Sequence, residues 1–321
     1  MIQNRESFRK TLKSMPLIFT VVPLRDSKTG DPEHDNRIVR NIESRIMEIS
    51  HTLSDYPKLT AVNVPELVEE NHEGKPRYNS IYTRKLAKGI ADGIGREAII
   101  NKVVAHMESY DEFAKWIIET ESQGIRNIVL VGGNTRHHRY TGPNVSEANL
   151  IARHLMKIKE IDNLTIGNIC LPERSGEARR MLYKTISGAD FFTTQMLFES
   201  DHITHLLKEY SELCKKAEVS PATVILSFAP LKSVADLNLL DFLGVDLPDE
   251  TKDYILENEQ VSRVYKRSIK NALDVLQVIV KDRKENYPEI SIGINVEQLT
   301  KSNMPYSIEM LREFHSMIEK K

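Results

Sequence analysis

The sequence predicts a closed (β/α)8 barrel with an extra helical segment before its last strand. Short β-branched apolar runs alternate with longer segments of helical period along the chain. The runs are apolar at successive residues, as expected of strands covered on both faces, and such strands belong to parallel sheets. Parallel neighbours need long crossovers, and roughly forty residues per strand and helix is the spacing such a barrel uses. An open doubly wound sheet would carry a glycine-rich dinucleotide turn after its first strand, and Phe19-Thr-Val-Val-Pro-Leu-Arg25 is not one.

Taken in order, the polar stretch 1–15 reads as a short leading helix, and apolar runs place eight strands at 17–22, 59–64, 99–106, 127–131, 164–169, 191–195, 224–228 and 291–296. Helices are expected at 37–53, 78–95, 110–123, 144–160, 175–187, 200–217, 232–243, 249–283 and 305–320. In Ile38, Ile42, Ile46 and Ile49, or Ile203, Leu206, Leu207 and Tyr210, apolar positions recur at three and four, so each helix has one stripe to lay on a sheet. Asn144-Val-Ser-Glu147 reads as a capping box. The oversized connection before the last strand is a helical insertion, 244–290, and no linker divides the chain, so one domain spanning 1–321 is expected.

Composition narrows the function. The 321 residues carry 44 basic and 46 acidic side chains, a net charge of -2. With a pI near 6.6 there is no bulk field to gather nucleic acid or an anionic membrane. A mean hydropathy of -0.38 and the absence of any apolar run near eighteen residues exclude a spanning helix. Two lone cysteines, Cys170 and Cys214, and an N-terminus without an apolar signal core lead us to expect a reducing cytoplasm.

In a filled barrel, chemistry collects where strands end at their C-terminal side. The successive exits carry Thr20 and Arg25; Asn63 and Glu66; His106 and Glu108; Asn134, Arg136, His137 and His138; Glu173 and Arg174; Gln195 and Glu199; Lys232; and Asn295 and Glu297. Groups of this kind suit a polar substrate with several heteroatoms. Gly132-Gly-Asn134 follows a strand directly, where glycines either let backbone approach a ligand or simply make a tight turn. No metal site is expected: His137 and His138 are adjacent and point apart, and His202 with His205 lacks a convergent third ligand. No serine or cysteine sits in a nucleophile elbow.

The stretch Lys184-Thr-Ile-Ser-Gly-Ala-Asp-Phe-Phe-Thr-Thr-Gln-Met-Leu-Phe-Glu199 resembles the sixth-strand signature of the methylenetetrahydrofolate reductase family, flavoenzymes built on a (β/α)8 barrel. The first-strand segment 19–25, the fourth-strand approach 124–131 and Leu171-Pro-Glu173 fall in the family's order. The resemblance implies reduction of 5,10-methylenetetrahydrofolate to 5-methyltetrahydrofolate, with NAD(P)H reducing FAD and the flavin passing hydride to the folate. It places Gln195 on the pterin and Lys184 at the flavin's phosphates. The chemistry opens the methylene bridge to an iminium, which needs a proton delivered to nitrogen by a positioned carboxylic acid.

Departures from the family pattern gather at the ligand. Thr20 stands where the family has its first-strand glutamate, Gly132-Gly-Asn134 where it has Arg-Gly-Asp, Leu171 and Ser175 where it has a tyrosine and a histidine, and Val296 where it has an arginine. The acid must then come from elsewhere, and the candidates are Glu173, Glu66 and Glu108, with Thr20 beside them. Asn134, Asn295 and Phe228 join Gln195 on the substrate side; Asn63, His106, Gly132, Gly133, Glu177 and Arg180 join Lys184 on the cofactor side. The expected partner is a folate-type small molecule, together with a second copy or a partner subunit. Two further readings stay open: a non-redox methyl-transfer enzyme on the same carrier, and a folate-binding or regulatory protein without the chemistry.

Overall fold

A computed structural model describes residues 7–24, 31–70, 76–78, 82–133, 139–245, 247–257 and 260–319. In chain order the strands are β1 (Leu17–Thr20), β2 (Leu59–Val64), β3 (Val68–Glu70), β4 (Pro76–Tyr78), β5 (Glu97–Val103), β6 (Asn127–Val131), β7 (Thr165–Cys170), β8 (Phe191–Met196), β9 (Thr223–Phe228) and β10 (Ile292–Glu297). The helices are α1 (Phe8–Thr11), α2 (Pro32–Leu53), α3 (Thr83–Ile94), α4 (Tyr110–Ser122), α5 (Val145–Lys157), α6 (Glu177–Ile186), α7 (Asp201–Lys216), α8 (Val234–Phe242), α9 (Asp249–Leu256), α10 (Val261–Asn286) and α11 (Met304–Glu319). Strands β1-β10-β9-β8-β7-β6-β5-β2 form a closed barrel in that order, with parallel register between β1 and β10, β10 and β9, β2 and β5, β5 and β6, and β6 and β7. This is the (β/α)8 barrel the sequence predicts.

Two local expectations are corrected. The helix expected at 78–95 begins only at Thr83, and Pro76–Tyr78 instead pairs antiparallel with Val68–Glu70 in a small separate sheet. His106 leaves the strand: β5 runs in register with β6 only to Val103 opposite Val131, and beyond that last partner the backbone turns into a short 3-10 segment, Val104–His106.

The chain divides into two compact units by contact. The first comprises residues 1–11, 21–168 and 186–191. Here α2 starts at Asp31, whose carboxylate accepts from the Glu33 N–H, with Pro32 at the first helical position. Helix α5 carries the expected capping box, in which Asn144 Oδ1 accepts from the Glu147 N–H and Glu147 Oε2 accepts from the Asn144 N–H. Gly167 on β7 leaves room for the Phe191 ring, which a Cβ there would meet at 2.3 Å. Phe191 in turn takes Phe8 of α1 edge-on at 5.5 Å.

The second unit comprises residues 12–20, 169–185 and 192–321. Helix α7 buries Ile203, Leu206, Leu207 and Tyr210, the stripe its period predicts. The Tyr210 hydroxyl pairs with Thr185 Oγ1 at 2.7 Å and accepts from the Ala222 N–H at 2.9 Å. The helical insertion builds a satellite core of its own, in which Leu231, Leu240, Ile255 and Val264 are buried together. Among the described residues, no helix is long and apolar enough to cross a membrane.

Candidate active site

In the second unit a cavity of about 240 Å³ opens beyond the ends of β7 and β8. Its polar lining is Glu173, Arg174, Gln195, Glu199 and His202, and its apolar wall includes Met196 and Phe198. Whole-ligand pockets run to roughly 300–1,000 Å³, so this one suits a single ring system better than an extended dinucleotide. Successive residues of β8 face opposite ways. Thr194 is buried, its Oγ1 accepting from the Ser227 N–H at 2.9 Å, and Gln195 takes the other face. Gln195 Nε2 donates to the Leu243 carbonyl at 2.9 Å, which fixes the amide and presents Oε1 as an acceptor. His202 Nε2 lies 3.2 Å from Glu199 Oε1 across one turn.

Below this rim, Glu177 at the start of α6 has a fully buried side chain. Arg174 Nε donates to its Oε2 at 2.6 Å, Arg180 stands 3.9 Å away, and Lys184 Nζ 3.7 Å away. Three cations against one carboxylate leave the cluster net positive. Lys184 is turned inward, its Nζ donating to the Ile169 carbonyl at 2.7 Å, and burial pulls its pKa down against the opposing effect of Glu177. Arg174 and Arg180 keep about a third of their side chains exposed, 35% and 34%. Burial, reinforced by Glu177, pushes the neighbouring Cys170 thiol up to about 12, so it is no nucleophile at neutral pH.

A third group lies at the ends of β1, β9 and β10. Thr20 Oγ1 donates to Asn295 Oδ1 at 2.8 Å, and Asn295 Nδ2 donates to Ser227 Oγ and to Glu297 Oε1, each at 3.1 Å. Ser227 also hydrogen-bonds Glu297. These partners are neutral, and burial outweighs their hydrogen bonds, pushing the Glu297 carboxyl up to about 7. Phe228 points away from this cluster: it is fully buried, with its ring 5.3 Å from Phe314 of α11.

The remaining predicted residues belong to the first unit. Glu66 accepts from Lys102 Nζ at 2.8 Å and from the Val103 N–H at 2.9 Å, and Lys102 lies over the Trp116 ring at 5.8 Å. Glu108 is exposed. Asn63 is buried on β2, its carbonyl accepting from the Val21 N–H. His106 and Gly133 are brought together by Tyr140, whose ring meets the imidazole edge-on at 5.3 Å and fills the space a Cβ at Gly133 would need. Gly132 precedes it, half-buried, and Asn134 lies outside the described residues.

Residues 77–286 match the protein family described as methylenetetrahydrofolate reductase. The chain belongs to the methylenetetrahydrofolate reductase family. No curated protein matches the sequence. Among solved structures it is similar to an uncharacterized protein from Clostridium thermocellum that binds two copies of 5-methyl-5,6,7,8-tetrahydrofolic acid, with 16% identity, 98% of each chain covered and a TM-score of 0.71. It is also similar to the EDTA monooxygenase of Chelativorans sp. BNC1, with 9% identity, 94% of this chain and 93% of the other covered, and a TM-score of 0.51. At these identities the likeness is one of fold.

Members of the methylenetetrahydrofolate reductase family generally use FAD and NAD(P)H. The net charge of the Glu177 cluster and the partly exposed side chains of Arg174 and Arg180 fit the phosphates of a dinucleotide. Lys184 itself, engaged by Ile169 and Glu177, holds the cluster in place. Sequence reasoning noted Arg174 at a strand exit without assigning it a role, although Arg174, Arg180 and Lys184 stand at helical spacing around Glu177. It also noted Glu297 at a strand exit without assigning it a role, although Asn295 and Glu297 alternate on one face of β10.

Proposed function

We propose that this chain is a single-domain cytoplasmic barrel enzyme that reduces 5,10-methylenetetrahydrofolate to 5-methyltetrahydrofolate with NAD(P)H, through a flavin. The observation that carries this reading is Gln195, which lines the cavity with its amide nitrogen held by the Leu243 carbonyl, in a chain of this family. A pterin presents an amino group and a ring N–H side by side, and a fixed amide oxygen is a matching acceptor. The folate bound by the structural neighbour from Clostridium thermocellum supports the same carrier here.

Met196 and Phe198 give the cavity an apolar wall that strips water from the reacting carbon. Arg174 and Arg180 would hold the phosphates of the flavin, with Glu177 and Lys184 fixing the arginines. A bound flavin would supply the hydride. Thr20 carries no acid and serves by orienting Asn295.

Calorimetry with 5-methyltetrahydrofolate tests the reading, alongside an absorption spectrum of the purified protein. The wild type is expected to bind, and Gln195→Ala to weaken binding about fivefold, the worth of one hydrogen bond of about 1 kcal/mol. Equal binding by both would remove Gln195 from the site, and no binding at all would refute the folate reading. Flavin bands are expected in the spectrum; their absence with retained reductase activity would place hydride transfer directly on the nicotinamide.

A further inference from the structure

We infer that Glu297 is the catalytic acid of this site, the group that hands a proton to N10 of the bound methylenetetrahydrofolate; the inference rests on the reductase reading above. The substrate carries its one-carbon unit as a bridge between N5 and N10. Protonation of N10 lets the bond between N10 and the methylene carbon break, leaving N10 as a neutral amine and the carbon as an N5 iminium. Hydride drawn from NAD(P)H, two electrons and one hydrogen passed on by the flavin that would be bound, would then add to that carbon to give the N5 methyl group, with NAD(P)+ as the other product. Glu297, left as carboxylate, regains its proton from solvent, so one proton and one hydride are consumed per turnover.

The reaction therefore needs a carboxyl that is still protonated near neutral pH, partly open to solvent, and free of a cation that would hold it ionised. The other carboxyls at the strand ends of the second unit do not meet this. Glu173 is exposed. Glu177 is sealed among Arg174, Arg180 and Lys184. Glu199 is paired with His202.

Glu297 differs from all three. It ends β10 at the C-terminal side of the barrel strands, partly buried, in parallel register with Thr20. The groups facing it are Asn295 from its own strand and Ser227 from β9, both neutral, with Thr20 of β1 behind Asn295. No ion pair holds it among the described residues. Burial without a compensating charge raises its pKa to about 7, where a group both holds its proton and gives it up readily.

The test uses the full chain with Glu297→Gln and Glu297→Asp, measuring NAD(P)H oxidation with methylenetetrahydrofolate across neutral pH and 5-methyltetrahydrofolate affinity by calorimetry. Glu297→Gln is expected to lose about 100-fold or more in kcat, the usual worth of a general acid. It should keep folate affinity and lose the wild type's alkaline fall in rate near pH 7. Glu297→Asp should retain a pH-dependent fraction of the rate. Wild-type kcat in Glu297→Gln, or loss of folate binding together with rate, overturns the inference and leaves the reductase reading standing. A wild type that neither binds folate nor oxidises NAD(P)H overturns both. A 13C NMR titration of the wild-type glutamate carboxyls, independent of how the variants fold, should show one midpoint near 7 that is missing in Glu297→Gln; its absence from the wild type overturns the inference.

Discussion

Thr20 on the first barrel strand and Glu297 on the last stand side by side in parallel register, and Asn295 joins them by accepting from the one and donating to the other. Three side chains that are neutral or protonated near pH 7 thus form one chain of hydrogen bonds at a strand end. A carboxyl set among amides and hydroxyls gains little help in ionising, so its proton stays on to near neutrality.

Asn295 is the hinge of that arrangement. Asn295→Leu keeps the volume and strips both donors from Ser227 and Glu297 and the acceptor from Thr20. Each hydrogen bond lost between these groups costs about 0.5–1.5 kcal/mol, so a urea midpoint below wild type is expected. Because the Asn295 hydrogen bond holds the Glu297 pKa down, its loss should move the alkaline limb of the rate to higher pH. A limb that stays in place would detach Asn295 from Glu297.

Stability should follow the same carboxyl. The folded pKa of Glu297 is raised from 4.5 to about 7, so between those values the folded chain holds a proton that the unfolded chain releases. Its contribution is full below pH 4.5, falls as pH rises toward about 7 and is gone above. Glu297→Gln mimics the protonated form and lacks this loss. Urea denaturation at a series of pH values should show the variant gaining on the wild type across that window; a constant difference would mean that the carboxyl titrates alike in both states.

The Glu177 cluster makes an asymmetric prediction. Glu177→Gln leaves Arg174, Arg180 and Lys184 facing one another without their shared counter-charge, and removing one partner of a buried pair costs about 3–5 kcal/mol. Lys184→Met costs less, because Glu177 keeps both arginines and the inward ammonium is already disfavoured by burial. Denaturation midpoints for the two variants should differ in that order, and the reverse order would contradict the geometry.

What was legible in the sequence followed the strength of the local signal. Each barrel strand is a run apolar on both faces, and a turn or helix bounds it, so 59–64 and 127–131 are read to the residue. The hairpin of β3 and β4 left no such trace: Val68-Glu-Glu and Pro-Arg-Tyr78 are short and charged, with no apolar periodicity to mark them. Glu177 was expected on the cofactor side, but its complete burial depends on three cations folding around it, which a charged helix face does not advertise. Phe228 shows the opposite failure. An aromatic at a strand end suits a ring-stacking role, yet strand alternation turns it outward onto Phe314, while Ser227 beside it takes the inward position. Glu297 was visible as a residue, and only its surroundings of neutral partners reveal its chemistry.

The most direct test of the account is the reaction itself. Purified protein is mixed with NAD(P)H, with and without 5,10-methylenetetrahydrofolate, while nicotinamide absorbance is followed and folate products are quantified by mass. The account predicts oxidation only when the folate is present, with one 5-methyltetrahydrofolate formed for each NAD(P)H consumed. Nicotinamide that stays reduced while the folate is bound would contradict it and leave a carrier-binding barrel without the redox step.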